Sequence, residues 1–296
     1  MRRATLLHTL QRALVVGLVS AACAWSAACE NNLTHPPDTT PYEAGTITPL
    51  SCVPNLDGMI ESSELQPSLG VPASYRVNPA NTTRTVDVAG EVNSSGQLVW
   101  DWGASYADDQ VATIEATPLQ GKWYASSFPG GQYTTPFDAG DTIEAVYSQD
   151  ANGAYIHGLA STQQNPPNGQ TLWAYDSPVT LYQFPLKPGT TWSTSGTIRN
   201  GIVEGLPYAA KDTYQGTDDA TGQLVLPDFT FTQAHRLRFV VTTVFSAGGA
   251  PQTTEQVSFL SECAGEIGRA TAAPIDDGGA LVPNFTMAAQ QRRLGM

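Results

Sequence analysis

From Val53 to Glu64 the chain reads Val-Pro-Asn-Leu-Asp-Gly-Met-Ile-Glu-Ser-Ser-Glu. Laid on the twelve-residue loop of a calcium-binding EF-hand, Asn55 takes the third position and Asp57 the fifth. Gly58 falls at the sharp turn, Ile60 at the apolar position, and Glu64 at the closing position, where a carboxylate binds through both oxygens. Hard oxygen donors at alternating positions are what Ca²⁺ requires. Val53 stands where the first aspartate belongs, however, and Pro49 and Cys52 occupy the place of an incoming helix. The competing reading is an Asp-Gly turn running into a short helical turn. The missing ligand favours the turn, so Asn55, Asp57 and Glu64 are a second-rank Ca²⁺ candidate and no other cofactor is expected.

Four cysteines carry the next chemistry. Arg2, Arg3 and Arg12 precede an uncharged, mostly apolar run from Ala13 to Trp25, after which Ser26-Ala27-Ala28 leads into Cys29. That is the layout of a secretory signal. It resembles the signal of a bacterial lipoprotein, in which the cysteine after small residues is acylated and becomes the new N-terminus. Ser20-Ala21-Ala22-Cys23 repeats the pattern, but Cys23 follows a shorter apolar core and would leave three other thiols in the mature chain. Anchoring at Cys29 leaves two, Cys52 and Cys263. In an oxidising compartment those two are expected to pair. Closing a loop of about 210 residues, such a bond would contribute roughly 5 kcal/mol in the chain-entropy model.

Trp100, Trp102, Trp123, Tyr124 and Phe128 form an aromatic-rich stretch that could stack on a sugar or line an apolar site. Strands are enriched in aromatics in any case, so core packing competes with that reading. Histidine is scarce. His8 lies in the signal and His35 in the following segment; His157 and His235 sit on strand faces among apolar neighbours, as hydrogen-bonded structural histidines do. Asp108-Asp109 and Asp218-Asp219 are sequence neighbours, which point to opposite faces on a strand. No His-Glu-x-x-His, Gly-x-Ser-x-Gly, Cys-x-x-Cys or phosphate-binding glycine loop occurs. The chain is therefore read as non-enzymatic.

The elements that must position these residues are strands. Beyond Ala28 the chain carries 11 basic and 27 acidic residues, a net charge of -16, which argues against a nucleic-acid partner. Residues 29–50, with Pro36, Pro37, Pro41 and Pro49 among threonines, read as a flexible lipid-anchored tether after a signal at 1–28. Residues 51–296 read as one β-rich domain. There the apolar spacing is mainly two, and turn clusters at 93–96, 150–153, 200–201 and 247–250 separate the runs. Asn200-Gly201 is the strongest hairpin signal. Helix is expected only near Glu61–Leu65 and in the tail from Phe285 to Leu294. The predicted fold is mainly β, an antiparallel meander forming a curved open sheet, an unclosed barrel or a sandwich.

Two phrases add a second resemblance. Leu-Tyr-Gln-Phe-Pro-Leu-Lys-Pro-Gly-Thr-Thr-Trp at Leu181–Trp192, and Val257 to Ala270 with Glu-Cys-Ala-Gly-Glu-Ile-Gly-Arg at 262–269, resemble uncharacterised exported bacterial lipoproteins. The likeness implies a curved antiparallel sheet displayed at the cell envelope, at the outer membrane before a secreted form. A binding or structural role toward an envelope protein, a glycan or an apolar ligand is expected. A carboxylate-based extracytoplasmic hydrolase and a calcium-dependent adhesion module are the alternatives.

Overall fold

The computed structural model describes residues 52–138, 140–276 and 279–295. The expected signal and tether, with Cys23 and Cys29, lie outside the described residues. Sixteen strands follow in chain order: β1 (Pro72–Val77), β2 (Arg84–Thr85), β3 (Glu91–Val92), β4 (Leu98–Asp101), β5 (Gln110–Glu115), β6 (Thr117–Pro118), β7 (Tyr133–Pro136) and β8 (Ile143–Gln149), then β9 (Gly153–Ser161), β10 (Leu172–Gln183), β11 (Thr191–Val203), β12 (Leu206–Val225), β13 (Thr230–Phe245), β14 (Gln252–Ser261), β15 (Gly265–Thr271) and β16 (Met287–Leu294). Among the described residues no helix reaches seven residues. None is long and apolar enough to cross a membrane.

From β7 to β15 each strand pairs with the next, an uninterrupted antiparallel meander. β16, β1 and β5 extend the sheet beyond β15, and β6 caps its other edge. β5 and β6 therefore lie at opposite ends of the sheet, yet only Ala116 separates them in sequence. The sheet has to curl for that to happen, and it does so into a nearly closed barrel with one unsealed seam.

The hairpins at 93–96, 150–153 and 246–251 match the turn chemistry of the sequence. Asn200-Gly201 does not form a turn. β11 runs through it with a register shift between Ile198 and Gly201, and the chain reverses at Glu204-Gly205, with φ of 49° and 77°. Both angles are positive, as the preferred two-residue hairpin geometry requires. Pairing with β12 thus outweighs the local Asn-Gly preference. The tail is also corrected: Met287–Leu294 is the strand β16, not a helix. Ala, Gln, Arg and Leu are good helix formers, but Ala288, Gln290 and Arg292 are buried at a period of two because β16 fills the gap between β15 and β1. Sheet pairing overrides the weak local propensity. Near Glu61–Leu65 a single 3-10 turn forms at Ser62–Glu64.

Residues 52–66 form a floor under one end of the barrel. Ile60 exchanges two backbone hydrogen bonds with Leu186, at 2.8 and 2.9 Å, so the Phe-Pro-Leu phrase supplies the floor's partner. Ile60, Phe184, Leu186, Trp192, Leu237, Phe239 and Leu260 pack together there. Cys52 and Cys263 are joined by a disulfide, with Cα atoms 5.4 Å apart. The Glu262 carboxylate accepts the Asn55 and Leu56 amides at 2.7 and 2.8 Å. A second core, outside the barrel wall, gathers Val86, Val88, Trp100, Trp102, Phe259, Ile267 and Phe285 under the crossing segment 78–109.

Candidate functional site

Directly paired residues of antiparallel strands share one face. Phe239 pairs with Gln256 and Gln256 with Thr271; Leu237 pairs with Ser258 and Ser258 with Arg269; His235 pairs with Leu260 and Leu260 with Glu266. Leu237, Phe239 and Leu260 belong to the floor core, so this is the inner face. Tyr214 joins it through Val241, and Tyr133 and Tyr147 sit opposite each other across β7 and β8.

Charges on this face reach across the barrel. The Tyr182 phenol is pushed well above its usual value, first by burial, then by the Glu266 carboxylate, with Arg269 pulling the other way. Four strands separate β10 from β15 in the sheet, and six separate β8 from β15. Tyr147 is nevertheless raised by burial, lowered by Arg269 and raised by Glu266. Only across a shared interior can these residues feel one another. Burial likewise raises Tyr133 and Tyr214.

The four tyrosines are nonetheless only half-buried, and the Arg269 side chain keeps 38% of its surface accessible. Tyr182 packs against the floor core, and Tyr147 and Tyr214 pack against a further core of Ala145, Ile156, Leu159, Tyr175, Val179 and Ile198, so accessible polar surface on this face, at the level of the tyrosine belt, is carried by Arg269. Arg269 donates to Glu266 through Nε at 2.9 Å and through a second, short contact from Nη2. Burial alone would lower the guanidinium's pKa, and the Glu266 carboxylate more than reverses that, leaving it raised. Tyr133 and Tyr147 stack with centroids 5.6 Å apart and planes at 19°. Tyr182 leans on Phe239 at 6.1 Å, joining belt to floor. Tyr75 donates to the Glu266 carbonyl at 2.9 Å, with the Arg293 guanidinium 5.4 Å over its ring. Beside Arg269, Gln256 donates to Ser258 Oγ at 3.0 Å and accepts from Thr271 Oγ1 at 3.4 Å.

The residues singled out in the sequence lie elsewhere. Asn55 Oδ1 accepts the Asp57 amide and Asp57 Oδ1 the Met59 amide, both at 2.9 Å, and Glu64 Oε2 accepts the Glu61 amide at 2.9 Å. These oxygens hold a turn at Gly58 and the 3-10 turn after it. Among the described residues no group of three His, Cys, Asp or Glu side chains gathers as a metal site. Trp100 and Trp102 pack on Phe259 at 4.7 and 5.0 Å, outside the barrel wall. Tyr124 and Phe128 pack in a separate cluster, with Trp123 against it. Four of the five are buried, and the five are divided between two separate clusters rather than gathered on one stacking surface.

His157 and His235 each make one side-chain hydrogen bond. His157 meets Ser148 Oγ at 2.8 Å. His235 Nδ1 meets Asp218 at 2.8 Å in full burial, while Asp219 points outward to Arg236 and Arg238. The belt was missed in the sequence because each tyrosine lies on a different strand. The signal available was a tyrosine at an inward position on β8, β10 and β12, readable only once inward and outward are assigned. No protein-family model, curated protein or solved structure matches this chain.

Proposed function

We propose that this protein is a bacterial envelope lipoprotein, anchored through Cys29 at the outer membrane, whose β domain binds a ligand without transforming it. The observation that supports the binding role is the part-accessible Arg269–Glu266 pair with the half-buried Tyr147 and Tyr182 within its electrostatic reach. Few convergent polar groups set among aromatic walls are the usual composition of a ligand site. The basic stretch, apolar run and Ser-Ala-Ala-Cys sequence support the anchor. Residues 29–50 then hold the domain off the bilayer. Mass spectrometry of the N-terminus of membrane-extracted protein tests the anchor. A lipid-modified Cys29 is expected, and an unmodified start, or a start at Cys23, would overturn it.

A further inference from the structure

We infer that the tyrosine belt takes a neutral oligosaccharide; the inference rests on the interior being the binding site. Three ligand classes conflict with the groups present. An apolar chain seated here would strip water from the half-exposed Arg269 and from Glu266 and offer nothing in return, and uncompensated burial of polar or charged groups costs several kcal/mol. An anionic ligand meets the Glu266 carboxylate within a domain of strongly negative net charge. A cationic ligand meets the Arg269 guanidinium.

A neutral sugar meets none of these objections. Vicinal hydroxyls both donate and accept, and the bidentate guanidinium–carboxylate pair offers a donor and an acceptor side by side. The Gln256–Ser258 pair continues that polar strip. The C–H face of a pyranose ring needs a flat, polarisable wall, and Tyr147 and Tyr182 are half-buried rings within electrostatic reach of the Arg269–Glu266 pair. Phenols are protonated at neutral pH, and burial moves both further from ionisation, so their hydroxyls are donors. Tyr147 on β8 and Tyr214 on β12 are four strand spacings apart, roughly 19 Å along the wall at about 4.8 Å each, which exceeds one sugar ring.

The test is a titration of the mature, lipid-free protein against neutral gluco-, manno-, galacto- and N-acetylglucosamine oligosaccharides, with palmitate and anilinonaphthalene sulfonate as apolar probes. At least one neutral oligosaccharide is expected to bind. Tyr147→Ala and Arg269→Gln are each expected to weaken it at least tenfold, and the surface control Arg199→Gln to leave it unchanged. On the unmutated protein the same sugar should slow nitration of Tyr147 and Tyr182, a readout that does not depend on how the variants fold. Binding of the apolar probes alone, lost in Tyr147→Ala, would overturn the sugar and leave the interior site standing. Sugar binding that neither variant weakens and that leaves nitration unslowed overturns the site assignment. Absence of binding by every probe overturns both.

Discussion

His157 is held neutral by burial, which lowers its pKa below the ordinary 6.5 while its Nε2 meets Ser148. As pH falls through 6.5 the unfolded chain takes up this proton before the folded one. The contribution to stability is therefore full above 6.5 and is lost as pH falls toward the depressed folded value. Urea unfolding between pH 7.5 and 5 should show a smaller pH slope in His157→Gln than in the natural chain; equal slopes would contradict the assignment. Burial works in the opposite direction on the belt phenols. It raises Tyr133, Tyr147, Tyr182 and Tyr214 above the ordinary phenol value, so that they stay un-ionised to higher pH than a free tyrosine. At this scale the Asp57-Gly58 turn was legible, since Asx chemistry is local. The partners of His157 and His235 were not, because Ser148 and Asp218 lie on neighbouring strands and only the strand pairing brings them together.

β12 shows what an element needs in order to build a wall and a floor together. At Gly216 the strand passes under Trp192, and a Cβ there would lie 2.2 Å from the indole carbons. Glycine is what lets Trp192 lie flat and join Leu237 and Phe239 in the floor. Gly216→Ala should lower stability by about 1–3 kcal/mol, the range for overpacking a filled core, seen as a drop in the urea midpoint at unchanged m. A neutral result would mean that Trp192 moves freely. Strand periodicity and turns at 93–96, 150–153 and 247–250 were readable from the residues because each depends on neighbours a few positions away. Asn200-Gly201 and the 285–294 tail misled for one reason: local propensities of about 1 kcal/mol or less per residue give way where a strand is required to complete pairing on both sides.

The described residues form a nearly closed barrel with one unsealed seam, to which the segment that precedes the strands is tied by covalent chemistry. The Cys52–Cys263 bond spans 211 residues, joining the first described residue to the hairpin between β14 and β15. Cys52→Ser/Cys263→Ser should lose up to about 5 kcal/mol in the chain-entropy model, measured as the shift in urea midpoint against the oxidised protein. An unchanged midpoint would show that the floor is held by Ile60 and Glu262 without the bond. Cysteine parity, the alternation of apolar residues and turn composition were enough to define from the sequence a mainly antiparallel β domain and its disulfide, because composition and short-range order encode them. The curl that brings β5 and β6 together was decided only in the tertiary structure, as was the approach of Tyr147 and Tyr182 to Glu266 and Arg269. Inward and outward along a strand differ by one residue, and no local pattern says which strands will face one another across a closed sheet.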